Sequence, residues 1–124
     1  MLKVEVEEVL TNLERVAVES AGRWRQTVVL KGGRTCVARS DGKIVAVDAP
    51  PALATAGSGD VLSGSIGALL AQGMSAFDAA ALAVFVGSRA ADRLTRRFGT
   101  LGVVAGDLPA AIAEELWVLE ELGV

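Results

Sequence analysis

The sequence predicts an α/β domain with few strands. Short β-branched runs over 27–31, 35–39 and 43–47 lie between segments whose apolar residues recur at helical spacing. Hydrophobic residues make up 52% of 124 positions and charged residues 22%, which favours a buried core over a disordered chain. The length suits one domain or part of one.

Each element follows from local pattern. Residues 4–22 carry Val6, Val9, Leu10, Leu13, Val16 and Ala17 at helical spacing, with Gly22 as the expected stop. The run 27–31 (TVVLK) ends at Gly32-Gly33 and reads as a buried strand and a tight turn. Residues 35–39 (TCVAR) and 43–47 (KIVAV) flank Asp41-Gly42, a hairpin signal. Pro50-Pro51 makes 48–56 a loop. A helix opens at Gly57-Ser58-Gly59-Asp60, runs to about Gln72 and is capped by Gly73. Ser75, with Asp78 three residues on, is a variant capping box that starts a helix reaching about Arg97. Its first part (AALAVFV) is apolar on all sides and predicts burial; its end places Asp92 and Arg96 at i,i+4. The last helix covers about 107–122, with Leu108, Ile112, Leu116 and Leu119 on one face. A buried strand needs neighbours on both sides, so this lopsided sheet is expected to be completed by a partner or a missing N-terminal half.

Charge and composition exclude several classes. The net charge is −3 with no basic stripe, which argues against nucleic acid. With no His and only Cys36, neither a zinc site nor an internal disulfide framework is expected. A lone thiol suits the reducing cytosol. The charged N-terminus lacks an apolar signal region, and the apolar run 79–87 is too short to span a bilayer. The expectation is a cytoplasmic protein without membrane contact.

The chemistry concentrates in residues 54–64, ATAGSGDVLSG. Two glycines lead straight into a helix and let a ligand approach the backbone. The first helical N–H groups lack internal partners, and the helix dipole adds partial positive charge. Gly57, Ser58 and Gly59 thus read as an anion hole for a terminal phosphate. Asp60 stands beside them as a base for a hydroxyl aimed at that phosphate, the layout that phosphoryl transfer requires. A plainer reading is ordinary capping by Ser58 or Asp60, with glycines serving only a turn. The other side chains read as structural: Arg89, Arg93, Arg96 and Arg97 as a solvated helix face, Cys36 as core, Trp24 and Trp117 as packing anchors with a subunit contact as the alternative for Trp117, and Gly64 and Gly67 as sites of close helix packing with a place in the nucleotide pocket as the alternative for Gly64.

The run ATAGSGDVLSGSIGALLAQGMSAFDAA resembles the signature of the ADP/ATP-dependent NAD(P)H-hydrate dehydratases, members of the ribokinase-like superfamily. VVLKGGRTCVA is similar to that family's strand-turn-strand segment, and the leading helix and GVVAGDLPAAI follow in order, so the likeness covers roughly residues 4–116. The resemblance implies the C-terminal half of a three-layer α/β/α fold. It implies an enzyme that uses ADP or ATP, with Mg²⁺ on the phosphates, to drive loss of water from NADHX or NADPHX. The kinase machinery would serve to turn a hydroxyl into a leaving group. By carry-over, Asp60 would contact the hydrated nicotinamide's hydroxyl as substrate ligand and base, and Gly59 would belong to the nucleotide site. Lys31, Gly32, Gly33, Arg34 and Thr35 would hold the adenosine phosphate. Where the family has an Asn-Pro-Gly type segment, this chain has Ala49-Pro50-Pro51-Ala52-Leu53. The family's chains are also longer, so the N-terminal substrate half is expected to come from elsewhere, through a homo-oligomer or a partner segment. The alternatives are a ribokinase-like kinase for a hydroxymethylpyrimidine, thiazole or sugar, and a nucleotide-binding fragment without turnover.

Overall fold

A computed structural model of the chain describes Val9 and residues 11–124. The described elements run α1 (Leu13–Trp24), β1 (Val28–Leu30), β2 (Arg34–Ala38), β3 (Ile44–Asp48), a 3₁₀ turn (Pro51–Ala54), α2 (Ser58–Ala71), α3 (Ala76–Phe98), a second 3₁₀ turn (Ala105–Asp107) and α4 (Leu108–Glu121). The expected positions Val6 and Leu10 of the first helix lie outside the described residues.

The strands form one antiparallel sheet in the order β1-β2-β3, with Val29 opposite Val37 and Cys36 opposite Ala46. Strand alternation sends one set of side chains to each face. Val28, Leu30, Cys36, Ala38, Ile44 and Ala46 pack against Ala17 and Ala21 of α1. Val29, Val37, Val45 and Val47 pack against Phe77, Ala80 and Val84 of α3, with Leu62 and Ile66 of α2 alongside. The result is three layers. A third cluster joins α3 to α4 through Val86, Ala90, Leu94, Leu108 and Ile112, and takes in Ala52 of the first 3₁₀ turn.

Several elements match their sequence signals. Gly42 has φ +94, and the amide of Lys43 donates to Asp41 Oδ1 at 3.1 Å, closing the β2–β3 hairpin. The hydrogen bond from Arg39 holds the Asp41 carboxyl well below the usual carboxylate range. Ser75 caps α3 by accepting from the Asp78 amide and donating to its carboxylate at 2.6 Å. Gly73, at φ +91, ends α2 by donating to Leu70 O.

Other expectations are corrected. α1 runs through Gly22 and ends at Trp24, where Arg25 takes the left-handed conformation and bonds Ala21 O. The strand 28–30 is half-buried and pairs with β2 alone among the described residues. Its apolar run reflects helices on both faces, not strands on both edges. Phe85 of the all-apolar stretch is exposed, as are Trp24 and Trp117, so the tryptophans anchor no core here. Gly64 and Gly67 are exposed, and a methyl at either would meet nothing. The arginine face of α3 is not simply solvated. Arg89 Nε and Arg93 Nη2 grip Glu115 of α4 at 2.7 and 2.6 Å, and Glu115 is only 3% exposed. Arg93 also holds Glu114 at 2.6 Å. Asp92 and Arg96 form no ion pair with a described residue.

Candidate functional site

The start of α2 is set by Gly57. Its φ of +87 is a left-handed conformation that a side chain would strain, and no side chain caps the helix. Capping by Ser58 or Asp60 therefore does not occur. The Ser58 hydroxyl turns inward and donates to Leu53 O at 2.7 Å. The Asp60 and Val61 amides both donate to Gly57 O, and the Ser58 amide reaches Thr55 O at 3.3 Å. Among the described residues, the Gly59 amide has no such partner.

A cleft of about 650 Å³ opens at this helix start. One wall is the turn after β1, with Lys31, Gly32, Gly33 and Thr35. The floor is Ser58 and Gly59, and the opposite wall is the loop from Ala49 through Thr55. Glycine at 59 keeps the floor low: a Cβ there would stand 3.4 Å from Lys31 Nζ, so the ammonium lies directly over the helix end. Thr35 is only 5% exposed, and its hydroxyl makes no hydrogen bond to a described residue. No fully buried side-chain oxygen is left unpartnered among the described residues, so this hydroxyl keeps access to the cleft, where a ligand oxygen can meet it.

The remaining expected residues stand differently. Asp60 lies exposed on the first turn of α2, outside the lining of this cleft. Gly57 backs onto Ala105, 3.1 Å from where a Cβ would sit. Arg34 turns to the other side of its strand and bonds Glu14 and Asp48, each at 3.0 Å. There it borders a separate cleft of about 610 Å³ with Asn12 and Leu13. Sequence reasoning met the Ala49–Thr55 wall only as a loop that departs from the family's segment, and it did not find Ser88, whose hydroxyl donates to Asp48 O at 2.8 Å. A lone serine inside an apolar helix was the available signal for the second.

Among the described residues, no group of three or more His, Cys, Asp or Glu is arranged to hold a metal. No described helix is long and apolar enough to cross a membrane.

The layering and the glycine-led helix start define a ribokinase-like α/β domain. An ADP/ATP-dependent NAD(P)H-hydrate dehydratase from Bacillus subtilis, crystallised with ATP/Mg²⁺, superposes with a TM-score of 0.87 at 27% identity, over 94% of this chain and 43% of that one. The family model described as NAD(P)H-hydrate dehydratase matches residues 1–114, and the chain belongs to that family. An ADP-dependent (S)-NAD(P)H-hydrate dehydratase of Neisseria meningitidis is 49% identical over 88 residues, 68% of this chain and 30% of that protein. The bifunctional NAD(P)H-hydrate repair enzyme of Moorella thermoacetica is 39% identical over 107 residues, 86% of this chain and 20% of that one. The chain thus spans less than half the length of these relatives.

Proposed function

We propose that this chain supplies the nucleotide-binding and catalytic part of an ADP-dependent dehydratase acting on hydrated NAD(P)H. The observation that carries this reading is the convergence of three groups on one cleft: the Lys31 ammonium, the unbonded Thr35 hydroxyl and the free Gly59 amide at a helix start. All three favour a phosphate.

In this reading Lys31, Gly32, Gly33 and Thr35 hold the adenosine phosphate. Arg34 holds the turn itself through Glu14 and Asp48, and would reach a nucleotide only by releasing them. Of the anion hole expected at Gly57, Ser58 and Gly59, the Gly59 amide is the open donor, the Ser58 amide is shared with Thr55 O and the Ser58 side chain is committed to Leu53. Asp60, on the same turn of helix, faces solvent and takes the proton of the substrate hydroxyl. Transfer of the nucleotide's terminal phosphoryl group to that oxygen, with its bond to the nucleotide broken and AMP released from ADP, would let the oxygen depart as phosphate. The described carboxylates are too dispersed to cage a cation, so Mg²⁺ would be held by phosphate oxygens and water. The nicotinamide side of the site would come from a further segment or a second copy. The buried Cys36 thiol suits a cytoplasmic setting.

The test is calorimetric titration of ADP with the wild-type protein, Lys31→Ala and Thr35→Val, beside an assay of NADHX dehydration by recovery of NADH absorbance. Binding weakened in both variants supports the reading. Unchanged affinity in both removes it. Phosphorylation of a small alcohol without NADHX turnover would favour the kinase alternative, which shares the helix start but not the acceptor.

A further inference from the structure

The outer wall of the cleft, residues 49–55, has little regular structure beyond Pro51–Ala54, so its shape depends on how its ends are tied. Ala49 N–H donates to Gly33 O at 3.0 Å, which joins the two walls at their base. Ser58 Oγ holds Leu53 O at 2.7 Å. The third tie comes from outside the cleft: Ser88 Oγ on α3 donates to Asp48 O at 2.8 Å, from a side chain 8% exposed. Helical hydroxyls usually bond the carbonyl four residues back, as Thr95 does to Ala91 at 2.8 Å. Ser88 instead leaves its helix and takes the last carbonyl of β3.

We propose that Ser88 is a positioning residue for the cleft, setting the angle at which the loop wall leaves β3 and so the gap between that wall and Lys31. Two prolines, Pro50 and Pro51, follow within three residues of the tied carbonyl. Their fixed φ angles carry the direction set at Asp48 into the 3₁₀ turn. Ala52 plugs the turn into the α3–α4 core, so the wall is pinned at both ends and has little freedom between them. The effect on ligand rests on the nucleotide reading of the cleft; the tie itself does not.

The experiment compares Ser88→Ala, Ser88→Thr and, as a control on the same helix, Thr95→Ala. Amide hydrogen exchange over residues 49–57 is read without ligand, and ADP affinity by calorimetry. Ser88→Ala is expected to speed exchange in that segment and to weaken ADP binding about three- to tenfold, the range that one lost hydrogen bond allows. Ser88→Thr restores both; Thr95→Ala changes neither. Ser88→Cys, which keeps the volume but donates weakly, gives a smaller effect and stands in should Ser88→Ala fail to fold. Unchanged exchange overturns the proposal, as does faster exchange with unaltered affinity. If the wild-type protein binds no ADP, the nucleotide reading falls, while the exchange data still decide whether the tie fixes the loop.

Discussion

Replacing Gly57 by alanine probes the point on which the helix start depends. Two costs combine there. The backbone sits at φ +87, ψ −11, where an L-residue loses about 1–2 kcal/mol relative to glycine. The new Cβ would also stand 3.1 Å from Ala105 Cβ, closer than methyl groups ordinarily approach, and small overpacking of this kind costs roughly 1 kcal/mol. The sum is about 2–3 kcal/mol, equivalent to a fall in melting temperature on the order of 10 °C for a domain of this size.

The two parts can be separated. Gly73 has φ +91 with open space around it, so Gly73→Ala bears the backbone cost without the contact. Pairing Gly57→Ala with Ala105→Gly keeps the backbone cost and removes the contact. Urea unfolding should therefore rank Gly57→Ala as the least stable, with Gly73→Ala and the double variant near each other. ADP titration should show weaker binding only for changes at 57, because position 73 is at the far end of α2. A loss below about 0.5 kcal/mol for Gly57→Ala, with ADP affinity intact, would refute the argument that the left-handed residue forms the phosphate-facing turn.

Three other outcomes follow. Asp60→Asn should abolish dehydration in an assembly that turns over NADHX while leaving ADP affinity unchanged; retained turnover removes Asp60 as the base. Glu115→Ala should cost about 1–2 kcal/mol in urea unfolding, since it removes a buried carboxylate held by two half-exposed arginines that water can still solvate, whereas Arg96→Ala should cost almost nothing. Burial pushes the Cys36 thiol up, with Glu14 adding to the shift, so alkylation of the folded protein at pH 8 should be far slower than in urea. Because the folded-state value is raised, Cys36 favours the fold below the ordinary thiol range, and that contribution is lost as pH rises through the raised value.

Much of the architecture was legible because local chemistry fixes it. The Asp41-Gly42 turn, the Ser75–Asp78 cap and the Gly73 stop each act through neighbours in sequence. The ATAGSGD run announced a glycine-led helix start for the same reason, and the structure sets it at a cleft. What escaped reading depends on residues far apart in the chain. Glu115 belongs to a run of acidic residues, and only the packing of α4 on α3 buries it between two arginines. Ser88 lies forty positions from the carbonyl it holds. The stop expected at Gly22 failed because the helix continues along the sheet for a further half turn and Arg25 bears the positive φ instead. Gly64 and Gly67 suggested close packing, yet they face outward, and helical spacing alone does not tell which side of a small-residue helix meets a neighbour.

The distribution of polar ties explains why the cleft can be both polar and preformed. Around the helix start, side chains able to bind phosphate are divided into two sets. Ser58, Ser88 and Arg34 are already bonded to protein and hold the walls; Lys31, Thr35 and the Gly59 amide have no hydrogen bond or ion pair within the described residues. A ligand that engages the second set need not break the first. The ordering cost of binding is then borne largely at folding, through the anchored loop and its prolines. Loosening one of the holding residues should accordingly weaken affinity without removing any ligand contact. Losing Lys31 or Thr35 should weaken it without loosening the loop, and the two classes of variant can be told apart by exchange at residues 49–57.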